Sequence, residues 1–282
     1  MKKIVLALAV LITIVFGGDF EDGLDAYNNG KHEQARVSYA KACDGGNPKG
    51  CSELASIYEY GLGVKKNMEL AIGLYKKACE KDEYGACGKM GTIYYLGKGV
   101  NQSYKNALVY YTKASDYNDK NAQFGLGLIY FYGKGVNRNY EKAVMFYQKA
   151  AKHGQVNAQH NLGYMYGNGL GVKKDYKKAI FYYKQSAAQN YPSSQNNLGY
   201  LYANGLGVKK NYKRAISLYK KAVKMGHSEA QNNLGFMYAN GRGVKKDYKK
   251  TYLYWSAAAK QGNKSAQASL KQLCRVAPMV CK

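Results

Sequence analysis

Acidic residues are scarce in this sequence of 282 residues: 18 Asp and Glu stand against 43 Lys and Arg, a formal charge of +25. Proline is scarcer still, with 3 residues beside 32 Gly and 30 Tyr, a bias that points to a repeated unit more than to an ordinary enzyme domain. Past Phe16 no long apolar run occurs, which excludes a membrane-spanning helix there by length. Cys-x-x-Cys is absent, and His32, His153, His160 and His227 show no ligand spacing such as His-Glu-x-x-His. We therefore expect no metal and no cofactor. At 46% hydrophobic and 22% charged, the chain is globular and not disordered.

The start of the chain reads as a targeting segment. Lys2 and Lys3 precede the apolar run Ile4 to Phe16, which is too short to span a bilayer, and Gly17, Gly18 and acidic sequence follow. This predicts a signal peptide over 1–17, cleaved after Gly17. No Cys stands near that point, so lipid attachment is not expected. The product would be exported, to the periplasm or outside the cell.

What is abundant is periodicity. Gly-x-Gly-Val begins at Gly61, Gly97, Gly133, Gly169, Gly205 and Gly241, each 36 residues after the last. Tyr104, Tyr140, Tyr176, Tyr212 and Tyr248 keep the same phase, as do Ala71, Ala107, Ala143, Ala179 and Ala215. Two helices fit in each period. One, illustrated by Asp175 to Ala187, sets Tyr176, Ala179, Ile180 and Tyr183 on one side and its lysines elsewhere. We call it the Lys-type helix. Asn67, Ser103, Asn139, Asp175, Asn211 and Asp247 are suited to cap its start, and Gly46, Asp82, Asn118, Gly154, Asn190, Gly226 and Gly262 to close its end in the left-handed conformation. The second, illustrated by Pro192 to Asn204, carries Gly91, Gly127, Gly163, Gly199 or Gly235 at its centre, where glycine costs about 1 kcal/mol relative to alanine. Close helix packing is the reason to keep it there. We call it the Gly-type helix.

Seven helix pairs result, and the fold class is all-α, an α-solenoid with a 36-residue period. Residues 18–30 would form an N-terminal cap, 31–274 the array, and 275–282 a C-terminal tail. The in-phase tyrosines Tyr58, Tyr94, Tyr130, Tyr166, Tyr202 and Tyr238 read as inter-helix packing.

Leu198-Gly199, Tyr202, Gly205-x-Gly207-Val208, Tyr212, Ala215 and Tyr219-Lys220-Lys221-Ala222 closely resemble the Sel1-like repeat, a relative of the tetratricopeptide repeat with a longer loop. The resemblance covers roughly residues 23 to 274.

Six cysteines in an exported chain suggest three disulfides. Cys43 and Cys51 have seven residues between them, and adding 36 to each gives Cys79 and Cys87. One member of each pair ends a Lys-type helix and the other opens the next Gly-type helix, across a tight hairpin. Later both vanish together, replaced by Ser115 and Gln123, Ala151 and Gln159, Ala187 and Gln195, Val223 and Gln231, and Ala259 and Gln267. Joint loss is what a paired bond predicts. Cys274 and Cys281 would clip the tail. Together with the signal peptide and the repeats, these pairs resemble the Helicobacter cysteine-rich protein family. That resemblance implies export and either β-lactam binding or hydrolysis, or interaction with host factors.

The hydrolase alternative finds little in the residues. Ser-x-x-Lys occurs at Ser38 to Lys41 and at Ser217 to Lys220, which is the number chance predicts, and no Ser-Asp-Asn or Lys-Thr-Gly accompanies it. We name no catalytic residue. The favoured reading is a protein- or peptide-binding scaffold. Resemblance to the tetratricopeptide fold implies that the Gly-type helices line a concave groove, with Asn161, Asn197 and Asn233 at its ligand-holding position. His160, Asn196 and Asn232, with Tyr164, Tyr200 and Phe236, would complete the lining. Amides both donate to and accept from a peptide backbone, which suits a sequence-tolerant clamp. Finally, Lys65, Lys173, Lys209 and Lys245, each followed by a second lysine, recur in phase as a basic ridge. Such a ridge would attract acidic proteins, glycans or anionic envelope lipids, and export makes nucleic acid an improbable partner.

Overall fold

The structure, a computed structural model, describes residues 18–281. Residues 1–17, predicted above as a signal peptide, lie outside them. Among the described residues every regular element is helical. Helix α1 runs over 18–28. The Lys-type helices are α2 (His32–Asp44), α4 (Met68–Glu80), α6 (Tyr104–Ser115), α8 (Tyr140–Lys152), α10 (Tyr176–Ala188), α12 (Tyr212–Lys224) and α14 (Tyr248–Lys260). The Gly-type helices alternate with them: α3 (Pro48–Tyr60), α5 (Tyr84–Leu96), α7 (Lys120–Tyr132), α9 (Val156–Asn168), α11 (Pro192–Asn204), α13 (Ser228–Asn240) and α15 (Lys264–Val276). A short 3-10 turn, Pro278–Val280, follows. These are the seven pairs of an α-solenoid. The helices gather into two compact units, divided between Asn139 and Tyr140.

The helix ends form for the reasons the residues suggest. Asn67, Ser103, Asp175, Asn211 and Asp247 each accept a hydrogen bond from a first-turn backbone N–H. At the other end Asp82, Asn118 and Asn190 take φ of 61°, 64° and 61°, beside glycines at Gly46, Gly154, Gly226 and Gly262.

Each unit has in-phase rings in its core, Tyr39, Tyr75 and Tyr111 in the first and Tyr147, Tyr183, Tyr219 and Trp255 in the second, all buried and flanked by fully buried alanines. The central glycines are explained by these rings. A Cβ on Gly163 would lie 2.6 Å from Tyr183 Cδ1, and one on Gly199 would lie 2.7 Å from Tyr219 Cε1. Gly91 and Gly235 meet Tyr111 and Trp255 in the same way. Displacing a packed ring costs about 1–3 kcal/mol, more than the roughly 1 kcal/mol that glycine forfeits inside a helix.

At the ends of the chain, α1 sets Phe20 and Gly23 against Tyr39, while Leu273, Ala277 and Val280 pack around Trp255. All three expected disulfides are present: Cys43–Cys51, Cys79–Cys87 and Cys274–Cys281. The first two join the last turn of a Lys-type helix to the first turn of the next, with Cα atoms 4.5 and 4.8 Å apart. In later hairpins glutamine does this work. Gln123, Gln159, Gln195 and Gln267 donate from Nε2 to the carbonyls of Ser115, Ala151, Ala187 and Ala259 at 3.2–3.4 Å.

Candidate functional site: an amide row beneath exposed aromatic rings

In the second unit the predicted lining separates into three environments. Tyr164, Tyr200 and Phe236 turn outward, 44%, 51% and 38% exposed. Asn161, Asn197 and Asn233 are half-buried. Asn196 and Asn232 are buried, and His160 is packed between the rings of Tyr183 and Tyr191. The helical step explains the division. Moving one residue toward the N-terminus turns the side chain 100° around α9, α11 or α13, from the surface into the neighbouring helix. His160, Asn196 and Asn232, predicted as lining, thus lie inward of the exposed rings.

The amides bond to one another in one direction. Asn233 Nδ2 donates to Asn196 Oδ1 at 2.9 Å, Asn196 Nδ2 to Asn197 Oδ1 at 3.3 Å, and Asn197 Nδ2 to the Tyr183 hydroxyl at 3.2 Å. Burial pushes that hydroxyl up to about 12, so it stays protonated at neutral pH. Each amide in the chain still has a second N–H. Tyr164, Asn168, Tyr176, Tyr183, Asn197 and Tyr200 surround a cleft of about 320 Å³ at this place.

Two Ser–His contacts lie nearby, and neither is set up for nucleophilic chemistry. The His227 Nδ1 atom caps α13 by accepting from Ala230 N–H at 3.2 Å. The proton of the neutral ring is then on Nε2, which faces Ser193 Oγ at 3.3 Å and so cannot take the serine's proton. Ser194 is wholly buried, accepts from His160 Nδ1 at 2.9 Å and spends its own proton on Ser186 Oγ at 2.8 Å. Burial, with His227 adding to it, holds His160 down at about 4. Of the Ser-x-x-Lys matches, Ser38 is half-buried on α2, whereas Ser217 and Lys220 are exposed on α12.

The first unit carries different chemistry at the same phase. Glu53 and Lys89 stand where the second unit has asparagine, and Ser56 and Thr92 where it has tyrosine or phenylalanine. A cleft of about 430 Å³ includes Glu53, Glu59, Glu83, Lys89 and Asp119 in its lining. Tyr75 donates to Glu59 Oε2 at 2.8 Å, and burial pushes the Glu53 carboxyl up. Our residue reading missed this cleft, although subtracting 108 from 161 leads straight to Glu53.

Charge divides in the same way. Residues 18–139 hold 16 Lys and Arg against 14 Asp and Glu, a net +2, and residues 140–282 hold 25 against 4, a net +21. Of the expected ridge, Lys65 belongs to the first unit, and Lys173, Lys209 and Lys245 belong to the second; all four are exposed. Among the described residues no group of three or more His, Cys, Asp or Glu could hold a metal ion.

A family model for the Sel1 repeat matches residues 48–83, 85–119, 120–155, 156–191, 192–227 and 228–263, each a Gly-type helix with the Lys-type helix after it. The chain belongs to the Sel1 repeat family. It is similar to a protective antigen of uropathogenic Escherichia coli displaying an SLR fold, at 30% identity and TM-score 0.85 over 93% of this chain and 57% of that one. It spans little more than half of that antigen. A Sel1 repeat protein from Oxalobacter formigenes is 34% identical over 86% of this chain and 99% of its own, with TM-score 0.78. Helicobacter pylori cysteine rich protein B is 32% identical over 48% of this chain and 96% of its own, with TM-score 0.37. No curated protein matches the chain. Sel1 solenoids are typically protein-interaction scaffolds, and the three disulfides belong to an oxidising, extracytoplasmic environment. Among the described residues no helix is long and apolar enough to cross a membrane.

Proposed function

We propose that this protein is an exported scaffold that holds an extended peptide segment of a partner on the Gly-type helices of its second unit. The observation that carries the reading is the placing of Tyr164, Tyr200 and Phe236, exposed, beside half-buried amides that a hydrogen-bond chain keeps in fixed orientation. Rings supply contact area at little entropic cost, and amides match a peptide backbone whatever its side chains. The disulfides and the predicted signal peptide support export. β-lactam hydrolysis has no comparable support.

The experiment is selection of random peptides on the oxidised mature chain, followed by affinity measurement on Tyr164→Ala/Tyr200→Ala. These rings are exposed, so the fold should survive. Losing anchor rings should weaken selected peptides about tenfold or more. Equal affinity for the variant overturns the site. A chromogenic cephalosporin assayed beside a mock purification should show no excess turnover.

A further inference from the structure

The second unit carries another exposed surface that the peptide reading does not use. A basic hexapeptide occurs in three successive repeats, as Lys173-Lys174-Asp175-Tyr176-Lys177-Lys178, Lys209-Lys210-Asn211-Tyr212-Lys213-Arg214 and Lys245-Lys246-Asp247-Tyr248-Lys249-Lys250. The second cation of each leading pair sits over the hexapeptide's own tyrosine: Lys174 over Tyr176 at 4.8 Å, Lys210 over Tyr212 at 6.0 Å, and Lys246 over Tyr248 at 4.7 Å. The last cation of each sits over a tyrosine of the preceding Gly-type helix: Lys178 over Tyr166 at 5.2 Å, Arg214 over Tyr202 at 5.6 Å, and Lys250 over Tyr238 at 5.2 Å. Cation–π contact restrains these long side chains without neutralising them.

The acids do little to neutralise them either. Asp175 Oδ1 accepts from the backbone N–H groups of Lys177 and Lys178, and Asp247 Oδ1 from that of Lys250. The middle cluster is capped by uncharged Asn211. Lys250 pairs with Asp247 at 3.6 Å. The clusters also adjoin. Each loop glycine rests on the start of the previous Lys-type helix, so that a Cβ on Gly207 would lie 2.6 Å from Tyr176 Cβ, and one on Gly243 would lie 2.5 Å from Tyr212 Cβ. Lys209 and Lys245 follow two residues later, at most about 7 Å further along the chain.

From this arrangement we infer that the second unit binds a linear anionic polysaccharide, one carrying sulfate, phosphate or carboxylate groups at regular intervals, along the three clusters. Eleven of the twelve cations are lysine, a point-charge donor suited to repeated oxyanions, where readout of bases would favour the planar arginine fork. The tyrosine faces already carry cations, which leaves no ring platform for stacked bases. The apolar side chains exposed at one phase of the second unit, Met145 on α8, Phe181 on α10 and Leu253 on α14, are interrupted by Ser217 on α12, so no continuous stripe along the three clusters is offered to a bilayer.

The test measures binding of a size-fractionated heparin fragment to the oxidised mature chain, beside Lys173→Gln/Lys209→Gln/Lys245→Gln and the first-unit control Lys65→Gln/Lys66→Gln. These surface changes should leave helicity and Tm unaltered. The expected result is salt-sensitive binding that weakens tenfold or more in the triple variant, with a shallower salt dependence, and less than twofold in the control. Tyr164→Ala/Tyr200→Ala should bind heparin normally, which separates this surface from the peptide site. Undiminished binding by the triple variant overturns the inference. So does tighter binding of a 20-nucleotide single strand, or of vesicles containing phosphatidylglycerol, than of the heparin fragment.

Discussion

Two ways of closing the same hairpin operate along this chain. Between α2 and α3, and between α4 and α5, a cystine joins the last turn of one helix to the first turn of the next. Between α6 and α7, and again between α8 and α9, α10 and α11, and α14 and α15, a glutamine at the second cysteine's position donates to the carbonyl at the first. A link between those two turns recurs in these six hairpins, and its chemistry is free to change. A covalent bond acts chiefly by restricting the unfolded chain, and an amide by satisfying a carbonyl of the folded one. The amide also has an oxygen to offer. Gln189 donates to Gln159 Oε1 and Gln261 to Gln231 Oε1, both at 2.9 Å, so a glutamine link can reach a neighbouring repeat where a cystine cannot.

Removing the covalent link should have the largest effect. Cys79→Ala/Cys87→Ala is expected to cost about 2–3 kcal/mol for a loop of this size. Denaturant unfolding measures it, and hydrogen exchange should place the loss in α4 and α5. A loss below 0.5 kcal/mol would mean that the cystine is dispensable and would break the comparison. Acid should separate the units next. Burial lowers His160 to about 4 and also depresses His227, which Glu229 partly opposes. A histidine whose folded pKa lies below the unfolded value stabilises fully above about pH 6.5 and loses that contribution as pH falls toward 4, on the order of 2 kcal/mol for His160 by pH 5. Exchange protection in α9 to α13 should fall over that window, and His160→Gln should flatten the response.

Smaller effects test the amide link itself. Gln159→Ala, which takes away a donor to Ala151 and an acceptor for Gln189, should cost about 1 kcal/mol by denaturant unfolding. The opposite sign is available at one position. Gln195 Oε1 is buried without a partner, and Met225 stands where Gln189 and Gln261 stand one period away on either side. Met225→Gln should supply the missing donor and gain up to about 1 kcal/mol, seen as a raised Tm.

Much of the fold could be read from residues because a 36-residue period repeats its own evidence. Helix type, the capping residues, the left-handed Asp82, Asn118 and Asn190, and the first two cystines follow from phase alone, while Cys274–Cys281 is the pair that remains. Phase reports which residues are equivalent and leaves open where they point. That is why His160, Asn196 and Asn232 read as lining although one helical step carries them inward, and why glutamine read as the mere absence of cysteine. Similar reasoning hid the first-unit cleft: Glu53 and Lys89 break the asparagine pattern, so a search for sameness passes over them. The near-neutral first unit was averaged away in the net charge of the whole chain, although its acids are plain in the sequence.

A cystine comes into being only when something removes two electrons from two thiols, and a glutamine needs no such event. The hairpins α6–α7, α8–α9, α10–α11 and α14–α15 can therefore close as soon as the chain collapses, whereas those of α2 to α5, and the tail held by Cys274 and Cys281, wait for an oxidant. Maturation of this molecule has a schedule, with an interior that sets at once and two ends that are locked later.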